Sequence, residues 1–291
     1  MNRKFCSYLE LVRLPGVFTA HADIVAGFLM AGAGWSDLPV LALLMLSTSF
    51  FFFAGMALND FFDYRVDAIE RPDRPIPSGQ VPLQVALITG IACLGCGLLF
   101  AYAARRTSFL IAVLLASAIV AYDGGVKKIP WVAPANMGFC RYLNLLLGFS
   151  VLPLNGTSLA IPLLTGVYIF GVTVLSGSES SGKNPLAVIV SSLSIASVFA
   201  IYKILFAMGV LPNPAGLYSM LTVILVLSTA VLRLLIRQTP KDYQQTMKWL
   251  LVSLIVLDGI LVTGVRPFHE ALVVWLLIAP GLYVSRKFYM T

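Results

Sequence analysis

Charge is what this sequence has least of. Only 11% of its 291 residues are Asp, Glu, Lys or Arg, while 59% are hydrophobic, and the mean hydropathy is +0.90. A water-soluble domain carries roughly 25% charged residues to wet its surface. The shortage excludes a soluble enzyme, a disordered chain and a nucleic-acid-binding domain. Acidic residues are especially few: thirteen against twenty Lys and Arg, for a net charge of +7. In a soluble protein that excess would suggest a polyanionic partner; in a membrane protein it usually reports topology. Cysteine is sparse as well. Cys6, Cys93, Cys96 and Cys140 give no disulfide framework to read. The C-x-x-C at 93–96 lies inside an apolar run, where small soft side chains pack well. The stretch from Met1 to Pro15 lacks an adjoining apolar run with a cleavage site, so it reads as a cytoplasmic lead-in.

Long apolar runs are what the chain has in quantity. A spanning helix needs about 20 mainly apolar residues. Ten segments qualify: 16–34, 38–58, 83–104, 107–123, 134–153, 158–177, 186–209, 216–236, 245–264 and 270–286. Most gaps are short, which makes consecutive segments antiparallel neighbours. The exceptions are 59–82 and 123–133. With the N-terminus in the cytoplasm, fifteen Lys and Arg fall on the inner side and three, Arg105, Arg106 and Arg266, on the outer. Arg141 and Lys203 fall within helices. Such a bias supports this orientation and an even number of spans. The last pair of segments is the exception: if one is re-entrant, nine spans remain. No internal repeat or soluble domain is visible, so residues 1–291 read as one polytopic domain.

Four of the thirteen acids lie in 60–70. Asp60, Asp63 and Asp67 are spaced i, i+3, i+7, and Asn59, Asp63 and Asp67 i, i+4, i+8. On a helix either set makes one stripe. Stacked carboxylates repel unless cations sit among them. Hard oxygen donors suit Mg²⁺, which takes one or two carboxylates and recruits phosphate oxygens. A solvated helix end paired with Arg65 and Arg71 is the plain alternative. The following residues favour the metal: Arg71-Pro72-Asp73-Arg74-Pro75-Ile76-Pro77-Ser78-Gly79 sets arginines in a proline-stiffened loop, and arginine forks suit phosphate oxygens. Carboxylates for Mg²⁺ beside fixed arginines describe a diphosphate site.

The run N-D-x-x-D-x-x-x-D followed by R-P-x-R-P-I-P-S-G resembles the first signature of the UbiA superfamily of intramembrane prenyltransferases, with spacing closest to its archaeal-lipid and chlorophyll-type branches. The match covers about twenty contiguous residues. The resemblance implies an all-α, polytopic membrane bundle of nine to ten spanning helices around a central cavity, capped by loops 59–82 and 123–133. It implies Mg²⁺-dependent transfer of a prenyl group from a prenyl diphosphate to an aromatic or lipid-like acceptor. Asn59, Asp60, Asp63 and Asp67 would hold the Mg²⁺-diphosphate, with Asp60 and Asp63 central to catalysis, and Arg74 matches the loop arginine. The setting would be a bacterial or archaeal cytoplasmic membrane, with membrane lipid and no nucleic acid among the partners. The basic pair Lys127 and Lys128 resembles one that members place between the fourth and fifth helices. It would grip diphosphate, or anchor at headgroups under the positive-inside rule. Asp123 reads as a helix-end residue or a counter-charge to these lysines.

Other polar residues sit in apolar surroundings. Asn136, Arg141 and Asn144 fall within one arc of the fifth segment, and intramembrane polar groups normally face a bundle interior or wet cavity. Cavity lining and interhelical hydrogen bonding both remain open for them. Asp23, near the same depth, is a further cavity candidate; His21, Asp258 and Lys203 raise the same question. Where family members carry a second acidic motif, this chain reads Thr173-Val174-Leu175-Ser176-Gly177-Ser178-Glu179-Ser180, with Glu179 as the one acid; either one Mg²⁺ is enough, Glu179 substitutes as a metal ligand, or prenyl transfer has been lost. That departure, with the run Cys140 to Gly148 and the C-terminal Phe288-Tyr289-Met290-Thr291, is similar to divergent UbiA-like proteins of bacterial ebo-type gene clusters. It keeps a second expectation open, a scaffold that binds or transports a secondary-metabolite precursor. A CDP-alcohol phosphotransferase is disfavoured: its signature needs Gly after Asp-x-x-Asp, and here Asp63 is followed by Tyr64.

Overall fold

The computed structural model describes residues 3–177, 184–237 and 239–287, and every regular element among them is helical. In chain order these are α1 (Arg3–Leu11), α2 (Val17–Ala31), α3 (Leu38–Phe62), α4 (Tyr64–Glu70), α5 (Leu83–Ala104), α6 (Arg106–Gly124), α7 (Val132–Phe149), α8 (Gly156–Ala160), α9 (Pro162–Ser176), α10 (Pro185–Ala207), α11 (Pro214–Leu232), α12 (Pro240–Val265), α13 (Phe268–Trp275) and α14 (Ile278–Lys287). Short 3₁₀ turns join several of them, among them Leu14–Gly16 and Val126–Lys128. The chain is an integral membrane protein. Eight of its helices, counting the turns that extend them, are long and apolar enough to cross a bilayer. The fifth expected segment, α7, is not one of these eight, since Asn136, Arg141 and Asn144 dilute its eighteen residues. It packs inside the bundle against α2, α6 and α9.

The chain reverses at each connection, so one face gathers the 3₁₀ turn before α2, α4, the loop to α5, the α6–α7 turn and the end of α9. This is the site face. The opposite face carries Asp37–Arg105 and Arg266–Glu270 ion pairs at 3.6 and 2.9 Å. The last expected segment is broken. α13 runs back along α12, where Trp275 Nε1 donates to the Val256 carbonyl at 3.2 Å. After a turn, α14 reaches the start of α2 beside Phe18. Two short helices in tandem thus stand where the sequence reads one span.

Helix starts are built from prolines in the first turn, where no N–H is lost, and from capping side chains. Asn184 Oδ1 accepts from Ala187 N at 3.0 Å, and Thr239 Oγ1 accepts from Asp242 N at 3.2 Å. Packing at the centre uses glycine. A Cβ on Gly148 of α7 would lie 2.6 Å from the Ile24 carbonyl oxygen of α2, and one on Gly27 would lie 2.7 Å from the Leu145 oxygen. Small residues let helix backbones approach this closely in membranes. The contact decides where α2 presents Asp23 to α7. Gly148→Ala is expected to cost about 1–3 kcal/mol through overpacking against backbone that cannot yield. Gly156→Ala, whose Cβ meets nothing within 4 Å, is the control. Thermal midpoints in detergent check this, and equal midpoints for the two variants would refute it.

Candidate active site

The acidic segment is bent. α3 ends at Phe62, Asp63 forms the junction, and α4 begins at Tyr64. The single straight stripe read from the spacing is therefore divided into two groups. Asp60 and Asp67 are buried at 5% exposure each and turn toward Arg74, whose Nη1 lies 3.4 Å from Asp60 Oδ1 and 2.6 Å from Asp67 Oδ2. Asp63 is more open and turns toward Lys127, whose Nζ lies 2.8 Å from its Oδ1 and 3.7 Å from Asp123 Oδ1. Asn59 belongs with this second group, its Nδ2 donating to Asp123 Oδ1 at 3.1 Å. Asp123 is thus the counter-charge to Lys127.

The loop after α4 positions Arg74 by local chemistry. Ser78 N and Oγ both donate to the Arg74 carbonyl, at 3.0 and 2.7 Å, and Val81 N donates to the Pro75 carbonyl at 2.9 Å. Gly79 takes φ +75°, which favours glycine. Ile76 and Val81 pack with Leu11, Ala57 and Ala86 in a small core of their own. The proline loop is thereby pinned under α1, and Arg74 has a fixed base. Arg71 is exposed and lies near enough to Arg13 to act on it electrostatically.

Arg13 is the residue that sequence reasoning missed. Its Nη2 donates to Asp60 Oδ1 at 3.0 Å. Burial lowers the Arg13 pKa and the Asp60 carboxylate opposes that shift; an arginine stays protonated regardless. Its one available signal was a position just before the first span, which topology already explained. Arg13 and Trp131 are the two non-glycine residues with positive φ among those described, at 45° and 66°. Such conformations cost energy and concentrate at functional sites. Trp131 lines a cavity of about 500 Å³ at the site face, together with Tyr122, Lys127, Lys128, Ser176 and Asn184. Lys128 is exposed toward this space while Lys127 reaches the acids, so the basic pair divides between them. Glu179 lies outside the described residues.

A second polar group occupies the bundle interior. Asp23 is fully buried, and its Oδ2 accepts from Asn144 Nδ2 at 2.7 Å and lies 2.8 Å from Arg141 Nε. Asn144 also donates to the Ala20 carbonyl at 3.0 Å and accepts from Thr48 Oγ1 at 2.5 Å. Arg141 Nη2 donates to the Thr19 carbonyl at 2.5 Å. Asp258 of α12, fully buried, sets a second carboxyl against Asp23. Arg141 and Asn144 thus join α7 to α2 and α3, whereas Asn136 accepts only a weak bond from Cys140 Sγ at 3.5 Å within its own helix. From Thr48 to Asp60 is twelve residues, about 18 Å along α3, so this network is separate from the acidic site.

Among the described residues no three His, Cys, Asp or Glu side chains converge as a ready metal cluster. The donor set still fits Mg²⁺, which needs one or two carboxylates when phosphate oxygens complete its shell. Asp63 and Asp123 already flank one cation, the Lys127 ammonium. Around the bend, the carboxylates Asp60, Asp63, Asp67 and Asp123 are interleaved with the basic side chains Arg13, Arg74 and Lys127. One end of an otherwise apolar bundle is thus a dense pole of paired acids and bases.

A family model describing the UbiA prenyltransferase family matches residues 23–252. The chain belongs to that family. It is 25% identical over 240 residues to a digeranylgeranylglyceryl phosphate synthase of Sulfolobus acidocaldarius, covering 79% of this chain and 85% of that one. It is 29% identical over 168 residues to the protein of that name from Methanosarcina barkeri, covering 54% of this chain and 58% of the relative's length. The structure of a UbiA homologue from Archaeoglobus fulgidus bound to GPP and Mg²⁺ aligns with a TM-score of 0.62 at 15% identity, over 96% of this chain and 99% of that one. At that identity the likeness is one of fold.

The interior pair gives a direct test of the charge pairing. Removing one partner of a buried ion pair costs about 3–5 kcal/mol. Asp23→Ala is expected to lose that much and to lower the thermal midpoint sharply. Adding Arg141→Met should recover most of the loss, because no uncompensated guanidinium remains. A double variant no more stable than Asp23→Ala would show that the pair does not carry the energy.

Proposed function

We propose that this protein is a membrane prenyltransferase that moves an allylic prenyl group from its diphosphate to a lipid-like or aromatic acceptor, with Mg²⁺. The observation that carries the reading is the bent acidic segment, held on one side by Arg13 and Arg74 and on the other by Lys127. Family membership and the archaeal relatives support it. The site face is assigned to the cytoplasm of a bacterial or archaeal membrane, supported by the excess of basic residues on that side and by the aqueous supply of diphosphates.

In this reading the diphosphate lies between the arginines and the lysines. Arg13, Arg71 and Arg74 take phosphate oxygens from one side, and Lys127 and Lys128 from the other. As the allylic C–O bond breaks, its electron pair leaves with the diphosphate, and these cations neutralise the growing charge. Mg²⁺ would be held by one or two of the Asp60, Asp63 and Asp67 carboxylates, with Asn59 Oδ1 beside them, and would further neutralise the leaving group. The acceptor's nucleophile forms the new bond to the allylic carbon, and its proton passes to the released diphosphate. The apolar bundle keeps water from the cation. The 500 Å³ cavity beside Lys128 and Trp131 offers room for the acceptor's polar end. In the sequence Glu179 follows α9 and is the one acid of residues 173–184, the candidate for an added metal ligand.

Purified protein with Mg²⁺, an acceptor and geranyl, farnesyl or geranylgeranyl diphosphate tests this. Diphosphate release is expected, and Asp63→Asn or Lys127→Gln should each lower kcat about 10²-fold or more, the scale for removing one charge-stabilising group. Chelation of Mg²⁺ should stop release. Release no greater than that of Asp60→Asn and Asp63→Asn variants, with every acceptor and with water, would refute the assignment. Metabolite transport that survives both substitutions would instead favour the scaffold reading, which the serine-rich run around Glu179 motivates.

A further inference from the structure

A second concavity lies away from the acidic site. It is a groove of about 530 Å³ between α11 and α12. Its floor is closed by Leu227 and Leu234, at 6% and 2% exposure. Ala230 and Val256 line its length. Its rim is open, with Val226 60% and Trp249 62% exposed, and on a membrane-spanning bundle such exposed apolar side chains face lipid. On α12 the lining runs from Asp242 to Val256, fourteen residues or about 21 Å. That matches one leaflet, about half of a 30 Å hydrocarbon core, together with its headgroup layer.

The two ends of the groove differ in chemistry. Toward the middle of the membrane it is lined by Val226, Leu227, Val252 and Val256, with Ser253 turned to the Leu250 carbonyl and the Tyr168 hydroxyl. At the site face it holds Arg233 and Arg237, both exposed. Neither guanidinium is bonded to another described side chain. The one acid in the lining, Asp242, is engaged in capping α12, where its Oδ2 accepts from Thr239 Oγ1 at 2.6 Å. Two free guanidiniums at headgroup level, above an acyl-length slot, are complementary to an anionic lipid. Arginine forks bind phosphate oxygens with two donors each.

We propose that the α11–α12 groove binds an anionic glycerophospholipid, its headgroup phosphate held by Arg233 and Arg237 and one acyl chain lying over Ala230 toward Val256. The site is independent of the acidic pole, and its occupancy does not depend on the prenyl-transfer reading.

Native mass spectrometry of the full chain, after detergent exchange with equal amounts of phosphatidylglycerol and phosphatidylcholine, tests this. Retention of phosphatidylglycerol over phosphatidylcholine is expected. The preference should fall about fivefold for each arginine neutralised, hence about twenty-fivefold in Arg233→Gln/Arg237→Gln. Ala230→Phe, which fills the chain slot without touching charge, should lower retention of the lipid while the arginines remain. It also serves as the deciding variant if the double arginine substitution fails to fold. Lys241→Gln, exposed at the same face outside the groove, should change nothing. Equal retention of the two lipids would overturn the proposal. So would unchanged phosphatidylglycerol binding in both groove variants, or displacement of the lipid by inorganic phosphate at matched concentration, which would mark a bare anion site.

Discussion

An ionised side chain buried in a hydrocarbon-embedded bundle costs several kcal/mol unless a counter-charge meets it, and that pairing organises this structure. Arg74 is the clearest case. It lies 14 residues after Asp60 and 7 after Asp67, so meeting both acids requires the chain to fold back sharply over the end of α3. The prolines and Gly79 make the return possible, and Ile76 and Val81 anchor it apolarly. Arg13 closes the same group from the N-terminal side. The site face is therefore shaped by ion pairs as much as by helix packing.

The interior follows the same rule by different means. Asp23, Arg141 and Asn144 lie on helices drawn together by Gly27 and Gly148. A larger residue at either glycine would push the backbones apart, and the 2.7 and 2.8 Å contacts of Asp23 would lengthen with them. Apolar packing and charge pairing support each other here. The glycines allow the approach, and the polar bonds set how α2 and α7 are aligned. The bonded network joins α2, α3 and α7, and Asp258 of α12 lies close enough to act on Asp23 electrostatically.

Much of this was legible in the sequence, for physical reasons. Spanning helices announce themselves through apolar length, which a bilayer imposes whatever the tertiary contacts. The acidic segment and its proline loop were legible because they are contiguous, residues 59 to 79. What could not be read depends on distance along the chain. Arg13 meets Asp60 across 47 residues, and Asp258 meets Asp23 across most of the molecule. The bend at Asp63 was hidden because residues 59–67 keep helical spacing on both sides of it. The broken last segment was hidden because a hydropathy window averages over the turn between Trp275 and Ile278.

The pairing also constrains how the acidic pole can take a ligand. Arg74 cannot give both forks to phosphate while it neutralises Asp60 and Asp67, nor can Lys127 while it sits 2.8 Å from Asp63. A diphosphate alone would draw these cations off and leave buried carboxylates uncompensated. A cation alone would crowd the acids' present partners. When both arrive together, the carboxylates gain new positive charge as the arginines and the lysine turn to the phosphate oxygens. Each ligand then removes the penalty that the other incurs, which is a positive coupling free energy between them. On the proposed reading, the protein favours the metal–diphosphate pair over either member because its own charges are already matched.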